Sequence, residues 1–272
     1  KNQKIELQII LTASSVLSRF GELSDILLKD GFKKFKKCYV ILEGGNPLTM
    51  AKSTGMSITE LTTMFDSLRP DIVVTTGDRF ETLATAISAG YMNISLAHIQ
   101  GGEITGSIDE SVRHAVTKLS HIHFAATKKA KINIIRMGED PKYVFNTGCP
   151  SIDIIKNSKK KLKDVKSLMN CVGKKFEYDK PFILALFHPV TTEFDNVKKQ
   201  INIFSNAINS IEKQIVWLWP NIDAGTDEIS KTLRRFREKG MLKNVSFFKN
   251  FEVEDYLVLM KNASCAVGNS SS

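Results

Sequence analysis

Apolar and polar positions alternate in blocks along the chain, with short apolar runs followed by longer stretches that keep one apolar face. Short apolar runs bounded by turn residues read as buried strands, whereas apolar residues recurring at i, i+3, i+4 and i+7 read as helices. On that basis strands are expected at 5–11, 38–42, 71–75, 94–98, 122–125 and 143–146, with helices at about 22–30, 47–68, 80–91, 108–118 and 127–137. Pro70 and Pro141 mark helix exits just before the third and sixth of these strands. A second series follows, with strands at 182–187, 214–219, 245–248 and 265–267 and helices at about 195–210, 227–238 and 252–261. Strands separated by helices of this length call for parallel sheets with helices on both faces, an α/β architecture. Between the two series, 157–166 is lysine-rich and 171–180 lacks hydrophobic periodicity. The link is therefore expected within 150–180, giving domains of 1–165 and 166–272.

The densest polar chemistry lies at 98–114. The apolar run from Ile94 to Ala97 delivers the chain to His98, and Gly101, Gly102 and Gly106 then break regular structure. Ser107 and Glu110 have capping-box spacing, so a helix is expected from 108. On it Asp109 and Arg113 lie one turn apart, as do Glu110 and His114. Taken alone, this is a well-capped surface helix with two ordinary side-chain pairs. Yet Glu103, Asp109, Glu110, Arg113 and His114 fall within twelve residues at the carboxyl end of a strand. Open α/β sheets bind their ligands at that edge, so this stretch is the expected centre of chemistry. Other polar clusters also follow strands: Gly77-Asp78-Arg79, His188-Pro189, Pro220-Asn221-Ile222-Asp223-Ala224-Gly225 and Gly268-Asn269-Ser270-Ser271-Ser272. Singly these are ordinary loop residues; gathered at the edges of two doubly wound domains, they suggest a cleft site. The Gly-Asn-Ser-Ser turn would also offer amides and hydroxyls to a phosphate if a helix opens there.

Composition narrows the class. The 272 residues are 42% hydrophobic and 25% charged, the balance of a soluble globular protein. No apolar run reaches the roughly 20 residues that span a bilayer, and residues 1–6 are too polar to open a signal peptide. Cys38, Cys149, Cys171 and Cys265 are scattered, consistent with reduced thiols in a cytoplasmic protein. The net charge of +9 comes from lysine clusters in loops and on polar helix faces, without an interleaved aromatic stripe or zinc-finger spacing. Nucleic acid is thus not the expected partner; the positive field suits a phosphate-bearing small substrate. The chain contains no dinucleotide-binding glycine fingerprint, Walker A loop, H-E-x-x-H or G-x-S-x-G turn. His121 and His123 straddle the start of an apolar strand and are read as structural rather than zinc ligands. The chain starts at Lys1 and stops at Ser272 just after a strand, so a fragment lacking elements at both ends is expected.

Gly77-Asp78-Arg79-Phe80-Glu81, His98-Ile99-Gln100-Gly101-Gly102-Glu103 and the run from Gly106 through Asp109, Arg113 and His114 to Lys118 resemble the hydrolysing UDP-N-acetylglucosamine 2-epimerases. These include the bacterial sialic-acid-pathway enzymes and the epimerase half of the bifunctional animal enzyme. Phe187-His188-Pro189-Val190-Thr191, the stretch from Pro220 to Gly225, and Gly268-Asn269-Ser270-Ser271 agree, so the match runs through essentially the whole chain. The resemblance implies two Rossmann-like domains facing across a cleft, the B-type glycosyltransferase fold. It also implies conversion of UDP-N-acetylglucosamine and water to N-acetylmannosamine and UDP. The route passes through loss of the C2 proton and UDP to a glycal, then addition of water with inversion at C2.

By the same resemblance, Asp78, Asp109 and His188 match acid–base or leaving-group positions, with Glu103 a nearby fourth candidate. Arg113 and Arg79 would steady diphosphate or hold carboxylates. Gln100 would orient substrate, and Asn221, Ser270 and Ser271 would hold the nucleotide. The implied partner is a UDP-sugar substrate, with no metal, no redox cofactor, no membrane and a homo-oligomeric (dimer or tetramer) assembly. Two departures stand out: Gln100 replaces a Glu of some relatives, and Ser15 lies where several carry a His. Alternative readings are the same reaction on UDP-2,4-diacetamido-2,4,6-trideoxyglucose for legionaminic-type sugars, a glycosyltransferase of this fold, or a non-catalytic nucleotide-sugar-binding module.

Overall fold

The computed structural model describes residues 4–17, 23–106, 108–220 and 223–270. The chain divides into two compact units, Lys1–Glu43 with Leu48–Cys149, and Gly44–Pro47 with Pro150–Ser272.

The first unit runs β1 (Ile10–Thr12), α1 (Leu23–Lys29), β2 (Lys36–Cys38), α2 (Pro47–Leu68), β3 (Ile72–Thr76), α3 (Phe80–Tyr91), β4 (Ser95–Ile99), α4 (Ile108–Leu119), β5 (Ile122–Ala125), α5 (Lys128–Arg136) and β6 (Val144–Asn146). Strands β3, β4, β5 and β6 form a four-stranded parallel sheet in that order, while β1 and β2 pair separately and in parallel. The long helices fall where the periodicity puts them. The first two strands do not: β1 begins at Ile10 and β2 ends at Cys38, against expected spans of 5–11 and 38–42. The ladder between them covers three residue pairs, and upstream of it Ile5 and Leu7 point to solvent. Their apolar side chains mimic a strand signal without a packed face behind them. Val73, Leu96 and Val116 pack with Leu61 and Phe65 of α2 and with Ala84, Ala86 and Ala89 of α3. Small residues on α3 let the helix lie close on the sheet. Thr127 caps α5 by accepting the Ala130 amide at 3.0 Å.

The second unit contains α6 (Pro150–Asn157), β7 (Val172–Gly173), β8 (Phe182–Leu186), α7 (Val197–Asn209), β9 (Gln214–Leu218), α8 (Thr226–Glu238), β10 (Val245–Phe248), α9 (Val253–Asn262) and β11 (Cys265–Gly268). Its sheet has the order β11-β8-β9-β10-β7, parallel except for β7. Alternate residues of the central strands face opposite ways. Ile183, Ala185, Ile215 and Trp217 pack under Ile201 of α7 and Leu233 of α8, whereas Phe182, Leu184 and Val216 pack on the other side with Val258 and Leu259 of α9. Burial on both faces explains why β8 and β9 read as continuous apolar runs.

The lysine-rich stretch is part of this unit's packing. Val165 and Leu168 are fully buried in the α9-side core, Lys160 and Ser167 both bind Asp255, and Ser158 donates to Glu254. The sequence carries no clear signal for helix α6 or strand β7. Helix α6 buries none of its residues, and β7 is a two-residue strand antiparallel to β10, too short to show a period.

Candidate functional site

The carboxyl ends of β3 and β4 bring the first group of residues together. Gly77 turns the chain after β3 with φ of +81°, a conformation that favours glycine, and its amide donates to Ile99 O at 3.1 Å. Asp78 follows, and Arg79 then opens α3 from an extended backbone. After β4, Gln100 adopts a left-handed backbone with φ of +65° and donates its amide to Phe124 O at 2.9 Å. Left-handed geometry at a residue with a Cβ is uncommon and marks a constrained turn.

Arg113 is the hub. It is 3% exposed, and its guanidinium donates to Asp78 Oδ2, to the Glu103 carbonyl at 2.8 Å and to Thr105 Oγ1 at 3.4 Å. The planar fork joins a carboxylate 35 residues upstream to the loop that enters its own helix. Burial lowers the Arg113 pKa, yet a guanidinium stays charged inside proteins. Glu103 is half-buried; it serves Arg113 through its backbone carbonyl. Asp109 is exposed in the first turn of α4. Ser107, the expected capping residue, lies outside the described residues. Glu110 reaches back from the helix to accept the amides of Gly106 at 2.6 Å and Thr105 at 2.7 Å. Those two bonds, Gly106 first, hold its carboxyl below the usual range, and His114 one turn on pushes the same way.

Behind this group lies a residue that the sequence marks as a strand end and the start of a family motif, without a role of its own. His98 is fully buried, with Nε2 2.8 Å from Gly77 O and Nδ1 3.2 Å from Thr117 Oγ1. A carbonyl can only accept, so Nε2 carries the hydrogen and Nδ1 accepts from the Thr117 hydroxyl. Desolvation lowers the His98 pKa to about 4, only partly opposed by the Gly77 bond, so the ring is neutral at pH 7. Gly101 is bound to this arrangement, since a Cβ there would meet His98 Nδ1 and Thr117 Oγ1, each at 2.9 Å. Gly102, with φ of +79°, sits against α5, where a Cβ would lie 2.3 Å from Ala130 O.

The remaining first-unit candidates have local partners. Arg79 pairs with Glu81 at 3.2 Å, and Gln100 Nε2 lies 3.6 Å from Cys149 Sγ. Ser15 donates to Thr12 O at 2.6 Å within a short 3₁₀ turn after β1. His121 accepts the Leu96 amide and His123 approaches Glu139, while no group of three or more His, Cys, Asp or Glu among the described residues could hold a metal ion.

In the second unit, half-buried His188 follows β8 and is clamped through its backbone. Asn269 accepts the His188 amide at 2.9 Å and donates to the His188 carbonyl at 2.8 Å. This pair of bonds ties the turn after β8 to the turn after β11, and the loop residues showed no signal of it in the sequence. Gly268 makes it possible: a Cβ there would fall 1.6 Å from Leu186 O. Ser270 is the next residue and is half-buried, whereas Asn221 and Ser271 lie outside the described residues. Gly225 starts α8 with φ of +102° and leaves room for Pro189, whose Cβ would be 2.9 Å from an added one. No described helix is long and apolar enough to cross a membrane.

A family profile described as UDP-N-acetylglucosamine 2-epimerase matches residues 1–272. The chain is 34% identical over 272 residues to the UDP-N,N'-diacetylbacillosamine 2-epimerase (hydrolyzing) of Legionella pneumophila, covering 100% of this chain and 70% of that protein. It is 32% identical over 280 residues to the GDP/UDP-N,N'-diacetylbacillosamine 2-epimerase (hydrolyzing) of Campylobacter jejuni, covering 100% and 70%. To the UDP-N-acetylglucosamine 2-epimerase of Neisseria meningitidis it is 29% identical over 267 residues, covering 98% and 68%. The chain thus spans about 70% of the length of these relatives. Among solved structures, the Methanocaldococcus jannaschii UDP-GlcNAc 2-epimerase in complex with UDP-GlcNAc and UDP superposes with a TM-score of 0.69 at 20% identity, covering 98% of this chain and 79% of that one. That likeness carries the fold: two Rossmann-like α/β units of the B-type glycosyltransferase class, as the motifs implied. With the family profile matched from end to end and a relative above 30% identity aligned over the whole chain, this protein belongs to the UDP-N-acetylglucosamine 2-epimerase family.

Proposed function

We propose that the protein is a hydrolysing 2-epimerase acting on a UDP-linked 2-acetamido sugar, and that the sugar is 2,4-diacetamido-2,4,6-trideoxyglucose. The observation that carries the reaction is the Asp78–Arg113–Glu103 assembly at the carboxyl edge of the first sheet, in a chain of this family. The sugar is supported by the two relatives above 30% identity, both named for diacetylbacillosamine. UDP-N-acetylglucosamine is the second reading, favoured by the Neisseria meningitidis relative named for it.

In this reading substrate and water give UDP and the C2-inverted free sugar. A carboxylate takes the C2 proton as the C1–O bond to UDP breaks, leaving a glycal. Water then adds at C1 and a proton is delivered to the opposite face of C2. Asp78, Asp109 and Glu103 are the carboxylates proposed for these transfers, with Arg113 holding Asp78 ionised and oriented. Gln100 is an amide and cannot exchange a proton at neutral pH, so its part is to orient the sugar. His188, with Arg79, Asn221, Ser270 and Ser271, is assigned to the departing diphosphate and nucleotide. A division of the chain into two domains within 150–180 and a homo-oligomeric assembly are part of this reading.

The test is incubation of the full-length protein with each UDP-sugar in deuterated water. Free UDP together with product deuterated at C2 is expected, faster with the diacetamido sugar. UDP release without deuterium at C2 would point instead to simple glycosyl hydrolysis or transfer.

A further inference from the structure

The proposed reaction needs Asp78 and the charged face of α4 held in fixed register, and neither side can do this alone. Asp78 stands on a turn that follows a glycine; Arg113 stands on a helix entered through a loop that contains Gly101, Gly102 and Gly106. One buried side chain spans the gap. His98 donates to the Gly77 carbonyl, one residue before Asp78, and accepts from Thr117, one helical turn beyond Arg113. The ring therefore joins the end of β3, its own strand β4 and helix α4. Gly101 is shaped to it, because any Cβ would strike both the ring and the Thr117 hydroxyl.

We propose that His98 is a positioning residue, a neutral two-sided pin that sets the register of Asp78 against Arg113 and Asp109. This rests on the reading of those residues as the reacting group. The ring neither touches solvent nor needs to titrate: its work is one hydrogen bond given and one received. A neutral imidazole has one donor and one acceptor on opposite sides, whereas a protonated ring would have two donors and would lose Thr117's proton-giving bond. Reacting groups misplaced by about 1 Å cost on the order of 10²-fold in rate, so a pin of this kind appears in turnover before it appears in binding.

Two substitutions separate the pin from mere core filling. In His98→Gln the amide nitrogen can occupy the place of Nε2 and keep the bond to Gly77. In His98→Asn only the place of Nδ1 is filled, and the bond to Gly77 is lost. Each variant is assayed well below its own melting temperature. His98→Asn is expected to lower kcat on the order of 10²-fold with KM within about threefold, and His98→Gln to recover most of that loss. Equal kcat in the two variants, or kcat falling only as stability falls, would overturn the proposal. A second readout does not require turnover. The carboxyl carbon resonance of Asp78, labelled with carbon-13, is expected to shift in His98→Asn and to return in His98→Gln; an Asp78 signal indifferent to both changes also overturns the pin. If the wild type turns over neither sugar, the proposed function fails, and the Asp78 resonance alone still decides the role of His98.

Discussion

Acidification tests the buried imidazole directly. The fold lowers the His98 pKa from 6.5 to about 4, chiefly by desolvation, so the folded protein favours the neutral ring. Between these values the unfolded chain takes up a proton that the folded chain refuses. Stability from this group is therefore fully present above about pH 6.5, is lost as pH falls, and stops changing below about pH 4. At pH 5 the loss relative to neutrality is about 2 kcal/mol, nearing 3 kcal/mol at pH 4. His123, also depressed by burial, contributes in the same direction. Comparison with His98→Gln removes such common terms. The variant is expected to be less stable at pH 7, with its deficit shrinking by about 2 kcal/mol at pH 5 because it has no imidazole to protonate. Trp217 and Trp219, the two tryptophans of the chain, both lie in the second unit, so their fluorescence would report the wrong part of the molecule. Hydrogen exchange of segment 95–125, corrected for the intrinsic rate at each pH, reads the first unit. A deficit that stays constant from pH 7 to 5 would refute a neutral buried His98.

Arg113→Leu should leave Asp78 facing an apolar chain and cost about 3–5 kcal/mol, seen in the same exchange measurement, whereas Arg113→Lys should keep the charge, lose the fork and chiefly reduce kcat. Asp109→Asn should preserve the melt and lower turnover by roughly 10²–10⁴-fold; near-normal turnover would return Asp109 to a helix-start residue. Glu110→Gln should speed exchange at the Thr105 and Gly106 amides, and in the wild type this protection should weaken as pH falls through and below 4.5, since the folded carboxyl titrates lower than that. Gly268→Ala should force the strand end away from Leu186 O and weaken UDP binding by at least about tenfold in calorimetry, with the Asn269–His188 bonds lost.

The parts of the fold legible in the sequence are those whose local pattern and tertiary burial agree. Helix α2 shows its period, and β8 and β9 their continuous apolar runs, over enough residues to be read, and the glycines after β4 announce a break. The cause of the break is not legible, because the group that excludes a Cβ at Gly101 is the ring of His98 together with a hydroxyl 16 positions further on. Arg113 read as a helix-surface partner of Asp109 from its spacing, yet it is 3% exposed and bonded to Asp78 across 35 residues. Spacing along one helix cannot reveal a partner on the turn after another strand. The lysine-rich 157–166 read as a link because its charges dominate the composition, while the buried Val165 and Leu168 that bind the stretch to α9 are too few to set a period.

Helix α4 shows how one sequence period distributes charge by depth. Asp109, Arg113 and Thr117 recur at intervals of four residues, so they lie along one stripe of the helix. Asp109 is exposed, Arg113 is 3% exposed and Thr117 is fully buried. The chemistry follows that gradient. A carboxylate is cheap to keep ionised where water reaches it; a buried cation needs an anion and further acceptors, which Asp78, Glu103 and Thr105 supply. At the deepest point neither charge would be tolerated, and the stripe ends in a hydroxyl bonded to a neutral imidazole. Moving the arginine one turn deeper would strand its charge against β4, and moving the hydroxyl one turn outward would leave the imidazole without a donor. The order acid, cation, hydroxyl is thus fixed by desolvation, and it ties the solvent-facing group proposed for catalysis to the core through a single helix.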